Sequence, residues 1–274
     1  MPLNVAIEGS IASGKSSLIK ELRILAENDR WNFYPEQVER WKRLGPRRIN
    51  LLKIFYQNPG KYALALQTQV MISKVEQMQS AWNSYPTPIA IFERSFESSA
   101  EVFAKANPLF GEVEKTISQN LSDFLLENTE VDSDVIIYLE TNPEQCLKRI
   151  SKRDRPEERK VDLNYLENLH DHYRTFIANS KIPVKIILVD NPEKSVKQVA
   201  LEAYEIIKSL LEVNSDSSSD DMEAGKTYSL CPPHFVDPDN LSLCALNGSQ
   251  TASTEEVSEA AKVVQDETLN VDKV

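Results

Sequence analysis

Cysteine is scarce in this 274-residue chain. Cys146, Cys231 and Cys244 are the only three, too few for a disulfide framework, so a reducing compartment is the expected setting. No stretch approaches the roughly 20 apolar residues that a membrane-spanning helix requires, and no membrane partner is expected. The apolar run Leu-Asn-Val-Ala-Ile starts at residue 3 and leads directly into a glycine loop. That arrangement is expected to leave no room for a signal or transit peptide, which points to the cytosol or the nucleus. Basic charge is not in excess: the net charge is −11, which argues against nucleic acid as a partner. There is no internal repeat. The strings Asn-Lys-x-Asp and Asp-x-x-Gly, which a GTPase would need, do not occur. Cys231, His234 and Cys244 lack a fourth ligand and any standard zinc spacing, so no metal is expected there.

The acidity is local. Residues 212–274 hold 13 Asp and Glu against 3 Lys, while the rest holds 29 acids and 28 bases. The tail includes Asn-Ser-Asp-Ser-Ser-Ser-Asp-Asp, a composition that buries too little apolar surface to offset its ordering entropy. Residues 1–211 therefore read as one domain and 212–274 as a mostly disordered acidic tail. Within 1–211, apolar runs at Leu3–Glu8, Trp31–Glu36, Pro88–Glu93, Asp134–Glu140 and Val184–Asp190 read as strands. Two of them, Asp-Val-Ile-Ile-Tyr-Leu-Glu and Val-Lys-Ile-Ile-Leu-Val-Asp, are nearly continuous in aliphatic residues, as strands of a parallel sheet covered on both faces are. Helices are expected at Ser16–Glu27, Lys61–Trp82, Glu112–Leu126, Pro143–Arg153, Asn164–Asn179 and Ser195–Leu211, with Pro143 and Asp162 suited to helix starts. The alternation implies an α/β fold with a parallel five-stranded sheet flanked by helices.

Residues 9–17, Gly9-Ser10-Ile11-Ala12-Ser13-Gly14-Lys15-Ser16-Ser17, contain a complete phosphate-loop pattern between a buried strand and an amphipathic helix. That context is what the mechanism requires: backbone amides and the positive helix end converge on phosphate. Lys15 is expected to reach the β- and γ-phosphates of ATP, and the Ser16 hydroxyl to sit on Mg²⁺. The second strand ends at Glu36, and the third ends in Glu93-Arg94. Open α/β sheets bind ligands at that edge. One carboxylate there can hold Mg²⁺ while the other accepts a hydroxyl proton. The basic stretch 149–160 supplies Arg149, Arg153 and Arg155, with Glu158 among them. A solvated charged helix end is one reading of it. The other is a P-loop kinase lid that closes over the donor phosphates.

Together these pieces resemble the deoxyribonucleoside kinase family, the group of deoxycytidine, deoxyguanosine, mitochondrial thymidine and insect multisubstrate kinases. The resemblance covers roughly residues 3–190 and rests on EGSIASGKSS, EQVERW, FYQNPGKYALALQTQ, ERSFESSAEVF and RISKRDRPEE followed by LNYLENLHDHY. It implies a P-loop kinase fold and a homodimer built through long helices, including Lys61–Trp82. It implies that Glu36 is the general base for the 5′-hydroxyl, that Arg94 holds that base and the transferred phosphoryl, and that Glu93 lies at Mg²⁺. By the same resemblance Gln67 pairs with the base edge, Tyr56 and Glu158 hold the 3′-hydroxyl, Trp41 and Phe103 wall the base, and Arg149, Arg153 and Arg155 are lid arginines. The chain departs from the family's pattern at Gln37, Lys74, Ser99 and Ala100, all expected near the base. Without an acid at Ser99, a pyrimidine deoxynucleoside, thymidine or deoxycytidine, is the expected acceptor.

Two other readings stand beside this one. A nucleoside monophosphate kinase would need arginines aimed at an acceptor phosphate, for which Arg43, Arg47 and Arg48 are candidates. A catalytically inactive nucleotide-binding scaffold would tolerate loss of the base or the clamp, yet Lys15, Glu36 and Arg94 are all present.

Overall fold

The computed structural model describes residues 2–82, 87–129, 132–155, 158–190 and 194–216. Five strands, β1 Leu3–Glu8, β2 Asn32–Tyr34, β3 Ile89–Glu93, β4 Val135–Glu140 and β5 Val184–Leu188, form one sheet in the order β2-β3-β1-β4-β5. Every neighbouring pair is parallel. The first strand thus lies in the centre, and the chain crosses to opposite sides of it. Such a reversal of strand order opens a crevice beyond the carboxyl ends of the strands.

The alternation of β1 explains the layers. Val5 and Ile7 face one side, where α1 (Lys15–Leu25) and α9 (Val196–Asp216) bring Leu18, Leu22, Ala203 and Ile207. Ala6 faces the other side with Ile136 and Tyr138, and α8 (Leu163–Ala178) covers them with Leu169 and Tyr173. On that second side α4 (Pro59–Trp82) packs Met71, Val75 and Met78 against Ala90 and Phe92. β1, β3 and β4 are buried on both faces and so cannot alternate apolar with polar, hence their near-continuous aliphatic runs. β5 departs from the expectation: it is an edge strand with Ile186 and Leu188 exposed, so its aliphatic run is not covered on both faces. Two expected caps are present: Pro143 opens α7 (Pro143–Arg153), and Asp162 accepts from the Tyr165 amide at 2.8 Å to start α8.

The differences from expectation are local. β2 is three residues long because it is an edge strand and Pro35, without an amide hydrogen, cannot extend the ladder. Four short pieces were not expected: α2 (Val38–Trp41), α3 (Leu51–Gln57), α5 (Phe96–Ser98) and the π-helical stretch Ser99–Ala104 that continues it. The remaining helix, α6 (Glu112–Asn128), packs on α4. The last helix runs to Asp216, past the boundary expected at 211. The acidic tail beyond it, with Cys231, His234 and Cys244, lies outside the described residues. No described helix is long and apolar enough to cross a membrane, and Cys146 is a buried free thiol.

Candidate active site

The loop after β1 takes its shape from its glycines. Gly9 has φ +145°, and a Cβ there would lie 2.6 Å from the Ser13 hydroxyl and 2.9 Å from the Leu139 carbonyl, so only glycine fits. Gly14, at φ +112°, turns the chain into α1 and brings no side chain to cap the helix, leaving its first amides for a ligand. Lys15 follows, buried, its ammonium donating to the carbonyls of Gly9 at 3.0 Å and Ser10 at 2.8 Å. Burial, and after it the nearby Arg94 charge, push its pKa down to about 8.

That shift has two consequences of opposite sign. The role expected of Lys15, meeting the phosphates of ATP, needs the ammonium, so on that expectation the dissociation constant for ATP rises with pH above about 8, by up to about tenfold per pH unit. Over the same window the folded chain gives up this proton before the unfolded one, whose lysine titrates near 10.5, so this group's contribution to stability rises with pH. Titrating ATP affinity from pH 7 to 9.5 checks the first. A flat profile would remove Lys15 as the charge that meets phosphate.

At the carboxyl edge of the sheet the side chains form a continuous chain of contacts. The Ser16 hydroxyl donates to Glu93 Oε1 at 2.6 Å, and Glu93 Oε2 accepts from the Glu36 amide at 3.4 Å. The Glu36 carboxylate meets Arg94 Nε at 2.9 Å. Arg94 in turn donates to the Gly9 carbonyl at 3.0 Å and the Tyr173 hydroxyl at 2.6 Å, with its guanidinium 4.4 Å from the centre of the Phe103 ring. Tyr173 passes the chain on to Glu8 Oε2 at 2.9 Å. Burial opposes the Arg94 charge, but Tyr173, Glu36, Glu8 and Glu93 outweigh it and hold its pKa above the usual range. Burial also opposes ionisation of Glu93, yet Lys15, the Ser16 hydroxyl and Arg94 keep its carboxyl below the usual carboxylate range.

Ser16, Glu36, Glu93 and Arg94 open on a cavity of about 600 Å³, with Glu8 and Tyr173 outside its wall. Ile11 to Ser17 line its phosphate end, while Gly9 and Ser10 stand behind the wall. Arg149 leans on the loop, donating to the carbonyls of Ser13 at 3.0 Å and Ala12 at 3.4 Å. Arg153 and Arg155 line the cavity and both hold Glu158, at 2.6 and 3.4 Å. Lys160 reaches from the same segment to the Tyr56 carbonyl on α3, at 3.2 Å. Tyr56 and Glu158 both line the cavity, with Glu158 engaged by the arginines.

The far end is apolar, with Leu52, Phe55, Leu66 and Val70 beside Trp41 and Phe103. Trp41 is buried, its indole N–H donating to Ser73 Oγ at 3.1 Å. Gln67 lies on this wall, its amide donating to the Ser99 carbonyl. An amide so held keeps one donor and one acceptor for a ligand's polar edge. Ser99 lines the cavity, and its hydroxyl bonds the Ser95 carbonyl at 3.4 Å.

Of the four departures expected near the base, Ser99 alone lines the cavity: Gln37 lies outside it and Ala100 is buried against α4 and β3. Lys74 does not line the cavity: it is buried with its ammonium on the carbonyls of Glu93 and, at 3.0 Å, Arg94. The turn of α4 that carries it faces the end of β3, not the base end of the cavity. Glu8 and Tyr173 were not foreseen as part of the site. No local signal marks them, since their partners lie 165 residues apart.

The donor set suits Mg²⁺. A hydroxyl and an ionised carboxylate stand together at the mouth of the phosphate loop, and Mg²⁺ is usually held by one or two such groups plus substrate phosphates. No described group of three or more His, Cys, Asp or Glu side chains forms a self-sufficient metal cage.

Residues 5–210 match the family model described as deoxynucleoside kinase. Among curated proteins, the chain is 31% identical over 239 residues to deoxycytidine kinase 2 of chicken, covering 76% of this chain and 89% of that protein. It is 31% identical over 197 residues to human deoxycytidine kinase, covering 64% and 75%. It is 30% identical over 201 residues to the mitochondrial deoxyguanosine kinase of Xenopus laevis, covering 66% and 75%.

Proposed function

The chain belongs to the deoxynucleoside kinase family, and on that footing we propose that it moves the γ-phosphoryl of ATP to the 5′-hydroxyl of a pyrimidine deoxynucleoside, deoxycytidine or thymidine. The observation that supports this most is the run of contacts Ser16–Glu93–Glu36–Arg94 at the mouth of the phosphate loop. Glu36, within reach of the cavity and held by Arg94, takes the proton of the 5′-hydroxyl. Arg94 then faces both the base and the transferred group. Lys15 and the amides of α1 hold the donor phosphates, and Arg149, Arg153 and Arg155 add charge and exclude water. Ser16 and Glu93 would hold Mg²⁺, whose charge offsets that on the β- and γ-phosphate oxygens.

The acceptor end supports an uncharged substrate. Its walls are Trp41, Phe103 and aliphatic side chains, and Gln67 supplies an amide for the base edge. Arg43, Arg47 and Arg48, the candidates for an acceptor phosphate, are exposed and are not part of the cavity wall. That disfavours a nucleoside monophosphate kinase. The intact base, clamp and lysine disfavour an inactive scaffold. The lean to pyrimidines rests on Ser99, which offers no carboxylate to a purine edge. Ile72 on α4 and Val113, Ile117 and Phe124 on α6 are exposed apolar residues of two helices that pack together, and they support a homodimer through this face. The buried free thiol suits a cytosolic or nuclear setting.

Turnover with Mg-ATP of thymidine, deoxycytidine, deoxyadenosine, deoxyguanosine and thymidine monophosphate, side by side, tests the reading. Pyrimidine nucleosides are expected to have the highest kcat/KM. Turnover of the monophosphate alone would move the chain to the monophosphate kinases.

A further inference from the structure

Arg94 is the last link of the proposed machinery, and its backbone is unusual. With φ +66° it is a non-glycine residue in the left-handed region, a conformation that costs on the order of 1 kcal/mol or more and persists only where surrounding contacts impose it. Lys74 supplies such a contact. The carbonyls on either side of Arg94's Cα, those of Glu93 and Arg94 itself, converge on its ammonium. Fixing both peptide groups fixes φ and ψ between them, and with these the direction in which the Arg94 side chain leaves the backbone. Two buried carbonyls converging on one point need a partner with more than one hydrogen to give, and an ammonium has three. The Arg94 amide is tied separately to the Ile7 carbonyl at 2.9 Å, and the Ser95 amide to Glu8 Oε1 at 2.5 Å.

The same turn of α4 holds the other half of the site. Ser73 accepts from Trp41, and Gln77 donates to the Pro35 carbonyl at 2.6 Å, immediately before Glu36. One stretch of helix, Ser73–Gln77, is therefore the common reference for Glu36 and for Glu93-Arg94. Lys74 faces Glu8 from β1, Glu36 from beyond β2, and Glu93 and Arg94 from the end of β3.

We propose that Lys74 is a positioning residue for phosphoryl transfer, holding the Glu93-Arg94 turn so that Arg94 meets Glu36, and that it does not select the base. The proposal rests on the kinase reading above. Its effect falls on the chemical step: a released turn misaims Arg94 and loosens Glu36 and Glu93 while leaving the walls around the base in place.

The test replaces Lys74 with Met, which has a similar reach and no donor. For Lys74→Met, kcat is expected to fall by about tenfold or more with every accepted nucleoside, with KM for the nucleoside changed far less and the order of preference among bases unchanged. In a Glu36→Gln background the same change is expected to cost much less, because the group it aligns is already disabled. Lys74→Gln, which keeps a donor, is expected to fall between Met and wild type, and carries the test if the Met variant does not fold. A near-normal kcat, a reordered base preference, or equal losses with and without Glu36 would overturn the proposal. The wild-type rate measured alongside separates the two claims. Absence of wild-type turnover overturns the kinase reading, whereas a normal rate in Lys74→Met beside an active wild type overturns only the role of Lys74.

Discussion

Glu36→Gln is expected to lower kcat by roughly 10²–10⁴-fold, the usual worth of a positioned general base, while the protein stays folded and binds ATP. The substitution is close to isosteric. A glutamine carbonyl can still accept from Arg94 Nε, 2.9 Å away in the parent, so the geometry survives and only the capacity to take a proton is lost. Because the proton moves only in the transition state, kcat and kcat/KM are expected to fall together. Steady-state kinetics beside a thermal melt would show this. A rate within tenfold of wild type would remove Glu36 as the base.

Arg94→Ala is expected to damage both activity and stability. The guanidinium is buried and serves the Gly9 carbonyl, the Tyr173 hydroxyl, Glu36 and the Phe103 ring at once. Removing it strands an acceptor in the loop and leaves the Glu8–Tyr173 pair without its nearest positive charge. Breaking a buried ion pair costs about 3–5 kcal/mol. Glu36 faces the cavity, which discounts that figure to about 2–4 kcal/mol, or a fall in Tm of about 5–15 °C for a domain of this size. The loss in kcat/KM is expected to be roughly 10³-fold or more, the lower bound for an arginine that meets the transferred phosphoryl. Arg94→Gly is a useful companion. It relieves the left-handed strain and is expected to melt higher than the alanine variant, by about 1 kcal/mol in stability, with activity equally low. A melt unchanged from wild type in Arg94→Ala would contradict the contacts described here.

What the sequence made legible follows from the range of the forces involved. The phosphate loop was plain because its glycines answer to local geometry: a Cβ at Gly9 has nowhere to go. β1 and β4 were readable because strands covered on both faces must be apolar almost throughout, whereas β5 shows the same aliphatic run although its edge position leaves Ile186 and Leu188 exposed. β2 was read too long, since Trp31 is buried by stacking on Tyr204 of α9 and not by strand pairing. The helices α2 and α3 are too short to show a periodic face, although Asn50, whose side chain caps the Lys53 amide at 2.9 Å, was a usable start signal. The π-helical stretch at Ser99–Ala104 carries no composition of its own. Lys74 shows the limit most directly. Its place on a long helix was readable, but whether it faces the cavity or the end of β3 depends on how α4 lies against the sheet, which no local pattern encodes. Glu8 and Tyr173 are similar. Each is ordinary in sequence, and the site acquires them only through contacts between distant elements.

The most direct test of the account is to identify the phosphorylated product formed from Mg-ATP and deoxycytidine or thymidine. The account predicts ADP and the nucleoside 5′-monophosphate in equal amounts, and no product from an analogue lacking the 5′-hydroxyl. ADP and free phosphate alone, with the nucleoside untouched, would contradict it.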